Sequence, residues 1–194
     1  MRLPPFVLWN LFLAAVPLAL SIVLFRRPRF GPGRRSALWW VGVAAFVAFL
    51  PNAPYVLSDA VHLVPRLRAE TSWLDAAILL VGAGLFFLAG LEAYVLCIVN
   101  LRHYLGRVIV PLEVAIHGLV AVGIYLGRVV RSNSWDLLGE AHLVVGAAVD
   151  ALSRPWPAVL VAFTFVVTAV ACEVLLRLNL AAARAVPPRW RPGR

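Results

Sequence analysis

Lysine is missing from this chain: all 18 basic side chains are arginine, set against only 9 carboxylates, for a formal charge of +9. An excess of that size raises nucleic acid as a partner. The arginines, however, stand in short groups between apolar runs, and no basic face carries interleaved aromatics for base stacking. Nucleic acid is therefore excluded as an expected partner. Cysteine is nearly missing as well. Cys97 and Cys172 both fall inside apolar runs, at unequal distances from the run ends. That placement argues for apolar packing and against a disulfide or a metal-binding pair. No HExxH-type metal motif and no GxSxG-type nucleophile is present, and nothing in the chain calls for a cofactor. A small-x-small cleavage pattern is also lacking between Ser21 and Arg29, where the first apolar run ends in Arg26-Arg27. The N-terminal run reads as a retained anchor.

What the chain has in excess is apolar side chains, 62% of all residues with a mean hydropathy of +0.89. Soluble domains hold about 45–50%. Crossing the hydrocarbon core takes about 20 apolar residues in a helix, and five runs reach that length, at about 4–25, 37–57, 74–100, 108–130 and 156–182. The expected fold is an all-α integral membrane bundle of five transmembrane helices, one membrane domain over residues 1–194, with the lipid bilayer as its constant partner. Proline, glycine and arginine between the first two runs make a solvated turn. Leu101 to Arg107 is so short that the third and fourth spans form a helical hairpin. Residues 135–152 differ. Leu137, Leu138, Ala141, Val144, Val145, Ala148, Val149 and Leu152 recur at helical spacing, with Asp136, Glu140 and Asp150 off that face. Together with His142 these ionisable groups make a crossing costly, so an amphipathic helix lying in the interface is expected. Asn133 would cap it, and Asp136 would favour its N-terminal dipole.

Orientation follows from the arginines. The 26–36 turn alone carries Arg26, Arg27, Arg29, Arg34 and Arg35, and its side also receives Arg102, Arg107 and the arginines of the C-terminal tail. The other side holds fewer: Arg2, Arg66, Arg68, Arg131 and Arg154, with Arg128 near its edge. Positive charge marks the cytoplasmic side, so the N-terminus is expected outside and the C-terminus inside, with the interfacial helix on the outer face.

The second and fourth spans then run in the same direction, and the polar stretches that end them emerge together at the outer face. The first stretch is Leu50-Pro51-Asn52-Ala53-Pro54-Tyr55-Val56-Leu57-Ser58-Asp59-Ala60-Val61-His62-Leu63. Its prolines break the second span near its outer end, with Asn52 as a candidate cap, and such a break opens either a polar pocket or a hydrated kink. On a helix Asn52, Tyr55, Asp59 and His62 fall on one side within about 80°. The i, i+3 spacing makes Asp59 and His62 the candidate catalytic acid–base pair. The second stretch, Gly127-Arg128-Val129-Val130-Arg131-Ser132-Asn133-Ser134-Trp135-Asp136, places Arg128 and Arg131 three apart. Forked guanidinium groups clamp phosphate or carboxylate. Asn133, Trp135, Asp136, Asn52 and Tyr55 complete the candidate substrate-binding set, for an anionic or lipid-linked ligand. Two other readings stand beside it: the arginines reach to lipid headgroups, or one of them pairs with Asp59. Ser58, Ser132 and Ser134 read as caps. A gathering of Asp59, His62, Asp136, Glu140 and His142 would supply metal ligands, but no tight motif supports it and no metal is expected. Within the spans, Glu92, Glu113, His117 and Glu173 form a further set, either interhelical hydrogen-bond glue or a proton or cation pathway.

The motifs Leu50-Pro51-Asn52-Ala53-Pro54-Tyr55 with Asp59 and His62-Leu63, and Gly127-Arg128 with Arg131 and Asn133-Ser134-Trp135-Asp136, resemble those of a family of bacterial multi-pass membrane proteins. That family is known only as a domain of unknown function. The resemblance runs from about the second span to the amphipathic helix. The family pattern has threonine where Ser58 stands and a bulky residue where Ser132 stands, and it does not include Glu140 or His142. It implies a bacterial inner-membrane location and a site at these motifs, and it brings no chemistry with it. Three function classes follow: a non-catalytic membrane subunit or partner-binding protein, an envelope enzyme acting on a lipid-linked or phosphorylated substrate, and a small ion-coupled transporter. The oligomeric state stays open.

Overall fold

The computed structural model describes residues 5–26, 36–106, 109–134 and 136–185, and every regular element among them is helical. Helix α1 (Pro5–Ser21) closes in a π-turn to Arg26. Helix α2 (Ala37–Phe49) is followed by a short α3 (Asn52–Tyr55), a 3₁₀ stretch (Val56–His62) and α4 (Leu63–Ala69). Then come α5 (Trp73–Leu105) and α6 (Ile109–Tyr125), the latter ending in a π-turn over Leu126–Val130. Helices α7 (Asp136–Gly139), α8 (Ala141–Ser153) and α9 (Pro155–Ala185) complete the chain.

Five helices are long and apolar enough to cross a membrane: Val7–Arg26, Ala37–Ala69, Trp73–Leu105, Pro111–Val130 and Pro155–Ala185. Their outward faces fit that reading. The first half of α5 leaves Leu74, Ile78, Val81 and Leu85 uncovered, a surface that water penalises and hydrocarbon does not. The packed core gathers around the second half of α5, where Tyr94, Val95, Cys97 and Ile98 are sealed between α1, the α2–α3 junction, α6 and α9. Both cysteines are free and buried, as apolar packing requires.

The second span differs most from expectation. It does not end near residue 57 but continues as one bent element to Ala69. Pro51 and Pro54 have no amide hydrogen, so the α-ladder fails there. Ala53 N–H turns to the Leu50 carbonyl in a tighter 3₁₀ bond, and the Asn52 side-chain amide donates to the Phe49 carbonyl at 3.0 Å. Asn52 is therefore not a helix cap. It satisfies a backbone group that the break sets free, and the chain resumes as a helix beyond it.

Two glycines let this bent segment sit deep. A Cβ on Gly90 of α5 would stand 2.2 Å from Val56 Cγ2, and one on Gly123 of α6 would stand 2.4 Å from Pro51 Cγ. The proline break that leads into α3 thus approaches α6 closely, Pro51 against Gly123.

Residues 135–152 are also revised. Trp135 lies outside the described residues, and the helix is divided at Glu140 into α7 and α8. The face of α8 that packs, on α9 and on the π-turn of α6, carries Val144, Ala147, Ala148 and Ala151. Val145, Val149 and Leu152 of the expected stripe stay exposed. Among the described residues the Asn133 side chain makes no capping bond, and the Asp136 carboxylate reaches back to accept from Asn133 N–H at 2.6 Å.

Candidate functional site

The two polar stretches meet, and Arg128 is where they do so. Its side chain leaves the π-turn that ends α6 and forks into the 3₁₀ stretch. Nε donates to Ser58 Oγ at 3.1 Å, Nη2 to Asp59 Oδ1, and Nη1 to His62 Nε2 at 3.3 Å, while Cζ lies 5.2 Å from the centre of the Tyr55 ring. A guanidinium has donors only, so His62 Nε2 is the acceptor. The 3₁₀ geometry explains the set. At three residues per turn the side chains at i and i+3 eclipse, which lays down two adjacent rows, Tyr55–Ser58 and Asp59–His62, with Arg128 reaching both.

Asp59 is buried, at 6% exposure. Its second oxygen accepts from Asn10 Nδ2 of α1 at 2.6 Å. Both oxygens are thus held by the chain's own donors. Arg128 bonds to both Asp59 and His62 and so links the two expected acid–base residues. Ser58 is no cap either. It accepts from Arg128 and donates to the Tyr55 carbonyl at 2.7 Å. One turn closer to the break, Asn52 Nδ2 donates to Ser134 Oγ at 2.9 Å, a second tie between the stretches.

Arg131 does not join Arg128. It stands exposed, with a left-handed backbone (φ 63°) whose N–H donates to the Leu126 carbonyl, and its side chain makes no hydrogen bond or ion pair among the described residues. The pattern three apart assumed an α-helix; the π-turn and the left-handed residue that ends it turn the two arginines apart. Of the expected binding set, Asn52 and Tyr55 face the site, Asn133 and Asp136 hold the turn into α7, and Trp135 is outside the described residues. The conditional gathering of Asp59, His62, Asp136, Glu140 and His142 is not among the groupings the structure forms. Among the described residues no group of three or more His, Cys, Asp or Glu is placed to hold a metal ion.

Beside the Arg128 network opens a cleft of about 700 Å³, within the range of small-molecule sites. It lies between α1 and α2 on one side and α6 and α8 on the other, and Pro51 and Gly123 also line it. Asn10, Asn52, Tyr55 and the 132–134 turn form its polar part; Leu13, Val47, Leu119, Val122 and Val144 are among its apolar walls. Asn10 and Tyr55 belong to both cleft and network, so the ion pair fixes one wall.

The second set of ionisable groups forms a separate cluster toward the opposite ends of α5 and α6. Arg102 grips Glu113 with two hydrogen bonds across the hairpin and stands 3.7 Å from Glu173, which Arg177 also holds. His117 Nδ1 meets the Tyr94 hydroxyl at 2.6 Å, its Nε2 stands 3.7 Å from Glu113, and Glu92 accepts from Asn179. The carboxylates of Glu113 and Glu173 are matched by two arginines within the cluster, which fits hydrogen-bond glue between helices.

Asn10 and Arg102 were missed by sequence reasoning. Asn10 was detectable as an isolated amide in an otherwise apolar run; Arg102 was counted with the turn that orients the chain, while its side chain folds back onto Glu113.

A family model described as "Protein of unknown function (DUF1361)" matches residues 9–170, a span that contains the whole Arg128 network from Asn10 onward. No curated protein and no solved structure matches the chain.

Proposed function

The chain belongs to the DUF1361 family, and from that premise we propose that it is a non-catalytic binding protein of the bacterial cell membrane, receiving a membrane-dissolved ligand in the cleft beside Arg128. One observation carries this reading. Both oxygens of Asp59 and all three nitrogens of Arg128 are engaged by the chain itself, next to an open cleft that no acidic or basic side chain lines among the described residues. A general base must reach the reacting proton, and Asp59 is buried and does not line the cleft; an anion clamp needs donors that are not already neutralised. Asp59 and Arg128 serve instead as the frame of a wall. The transport reading loses its main support because Glu113 and Glu173 are paired with arginines and Glu92 is held by the Asn179 amide.

The test compares lipid profiles of cells overexpressing wild type or the Asp59→Asn/His62→Ala variant at matched membrane abundance. The profiles are expected to be identical, while native mass spectrometry of the purified wild type shows a bound species of fixed mass. A lipid that appears or disappears only with wild type would establish catalysis and overturn the proposal.

Within the same reading the cleft opens toward the outer side, as the arginine distribution implies. Ala69→Cys, at the exposed end of α4, is expected to react with an impermeant maleimide in intact cells. Ala185→Cys, at the exposed end of α9, is expected to react only after permeabilisation. Cys97 and Cys172 are buried and add no background. The reverse pattern would invert the topology.

A further inference from the structure

The chemistry of the cleft narrows what it holds, given the binding role proposed above. Its long axis follows α2 from Asn52 back to Ala44 and α6 from Gly127 back to Leu119. That is about 12 Å of helix on each wall. Polar groups are confined to one end, where Asn52 is tied to Ser134 and Asn10 to Asp59. The rest is hydrocarbon.

The polar end is also uneven in its hydrogen bonding. Asn52 Nδ2 donates to the Phe49 carbonyl and to Ser134, and Asn10 Nδ2 donates to the Asp59 carboxylate. Carbonyl and carboxylate oxygens only accept, so these amides must present nitrogen to them and carbonyl oxygen the other way. Neither Oδ1, nor the Tyr55 hydroxyl, takes a hydrogen bond among the described residues. No buried side-chain nitrogen or oxygen is left unsatisfied, so these oxygens lie open rather than sealed in. All three residues line the cleft.

An end built of open amide oxygens, which accept, and of hydroxyls, which both accept and donate, suits a neutral group that does both. A phosphate or carboxylate could use only the hydroxyl donors and would leave the amide oxygens facing further acceptors. It would also enter an apolar space without a counter-charge, because among the described residues no cation lines the cleft and Arg128 is neutralised by Asp59. We infer that the cleft binds a long-chain lipid with an uncharged, hydroxyl-bearing head. The hydroxyl donates to the open oxygens of Asn52 and Asn10, and the chain lies along α2 and α6 toward Ala44 and Leu119.

The test uses the full chain in phosphatidylcholine nanodiscs and two photoreactive probes, a long-chain alcohol and the alkyl phosphate of the same chain, each with a diazirine in the tail. The alcohol is expected to give saturable adducts on α2 and α6 that unlabelled alcohol competes away, while the phosphate labels only in proportion to its concentration. Val122→Trp and Ala48→Phe fill the cleft from opposite walls, and either is expected to weaken half-saturation by at least about tenfold, equivalent to about 1.4 kcal/mol. Leu178→Trp, on the exposed side of α9, leaves it unchanged. Each variant is first matched to wild type in elution volume, and two independent walls keep the test valid if one variant fails to fold. If the phosphate saturates the same site and is blocked by the same variants, the neutral-head assignment is overturned while the binding role stands. If neither probe saturates, the binding role itself is overturned.

Discussion

Gly90→Ala is expected to destabilise the protein by about 3 kcal/mol, at the upper end of the overpacking range, although it adds one methyl group to a helix. The added Cβ would stand 2.2 Å from Val56 Cγ2 and 2.6 Å from the Ala53 carbonyl oxygen. Val56 is fully buried and branched at Cβ, so it has no slack to swing away, and Ala53 is backbone in the segment between the prolines. Elsewhere on α5 the same change meets nothing: Gly82 and Gly84 have no atom within 4 Å of a built Cβ. There helix propensity alone acts, and alanine is favoured by up to about 1 kcal/mol. Thermal unfolding in detergent should therefore show Gly90→Ala far below wild type, and Gly82→Ala at or slightly above it. Val56→Ala in the Gly90→Ala background removes the side-chain clash but not the carbonyl contact, so the rescue is expected to be partial. A Gly90→Ala protein that melts with wild type would mean that α5 and the broken span do not approach as described.

The failure of the α-ladder at Pro51 and Pro54 was legible in the sequence, because proline acts locally and by one mechanism. The arrival of the two stretches on one side was legible as well, because two spans in the same direction must deliver their ends to the same side; that they touch was not, since side-chain contact depends on packing. What followed the break was not. A wheel at 100° per residue grouped Asn52, Tyr55, Asp59 and His62, but the chain winds as a 3₁₀ helix over Val56–His62, and the tighter turn brings Ser58 in beside Tyr55. The same limitation split Arg131 from Arg128, since a π-turn changes the period just where the pattern was read. Asn10 and Gly90 were invisible for another reason. A single amide or glycine in an apolar run has no periodicity, and its meaning is set by the neighbour it meets, which is a property of packing. Arg102 shows the converse. Topology counts an arginine near a span end as a positive charge for one side, while the bidentate grip on Glu113 is a contact between helices that such a count does not contain.

Arg128→Met is expected to have the other large effect, about 3–5 kcal/mol, the cost of breaking a buried ion pair by removing one partner. Asp59 would keep Asn10 as a donor but would remain a buried carboxylate without a counter-charge. Ser58, His62 and the Tyr55 face would each lose the guanidinium that ties them to α6. Arg128→Lys should fall between, since an ammonium can serve Asp59 but cannot fork to Ser58 and His62 at once. Asp59→Asn should cost less than Arg128→Met, because an amide oxygen still accepts from Nη2 and the arginine side chain, 27% exposed, keeps some access to solvent or headgroups. The decisive comparison is the Asp59→Leu/Arg128→Met pair. An apolar replacement of both partners removes the desolvation cost together with the attraction, so most of the stability is expected to return, measured by the same detergent melts. Return of stability together with saturable lipid labelling assigns the pair to the wall of the cleft. Return of stability with labelling lost would place Arg128 in direct contact with the ligand, and the anion clamp rejected above would become the better reading of this site.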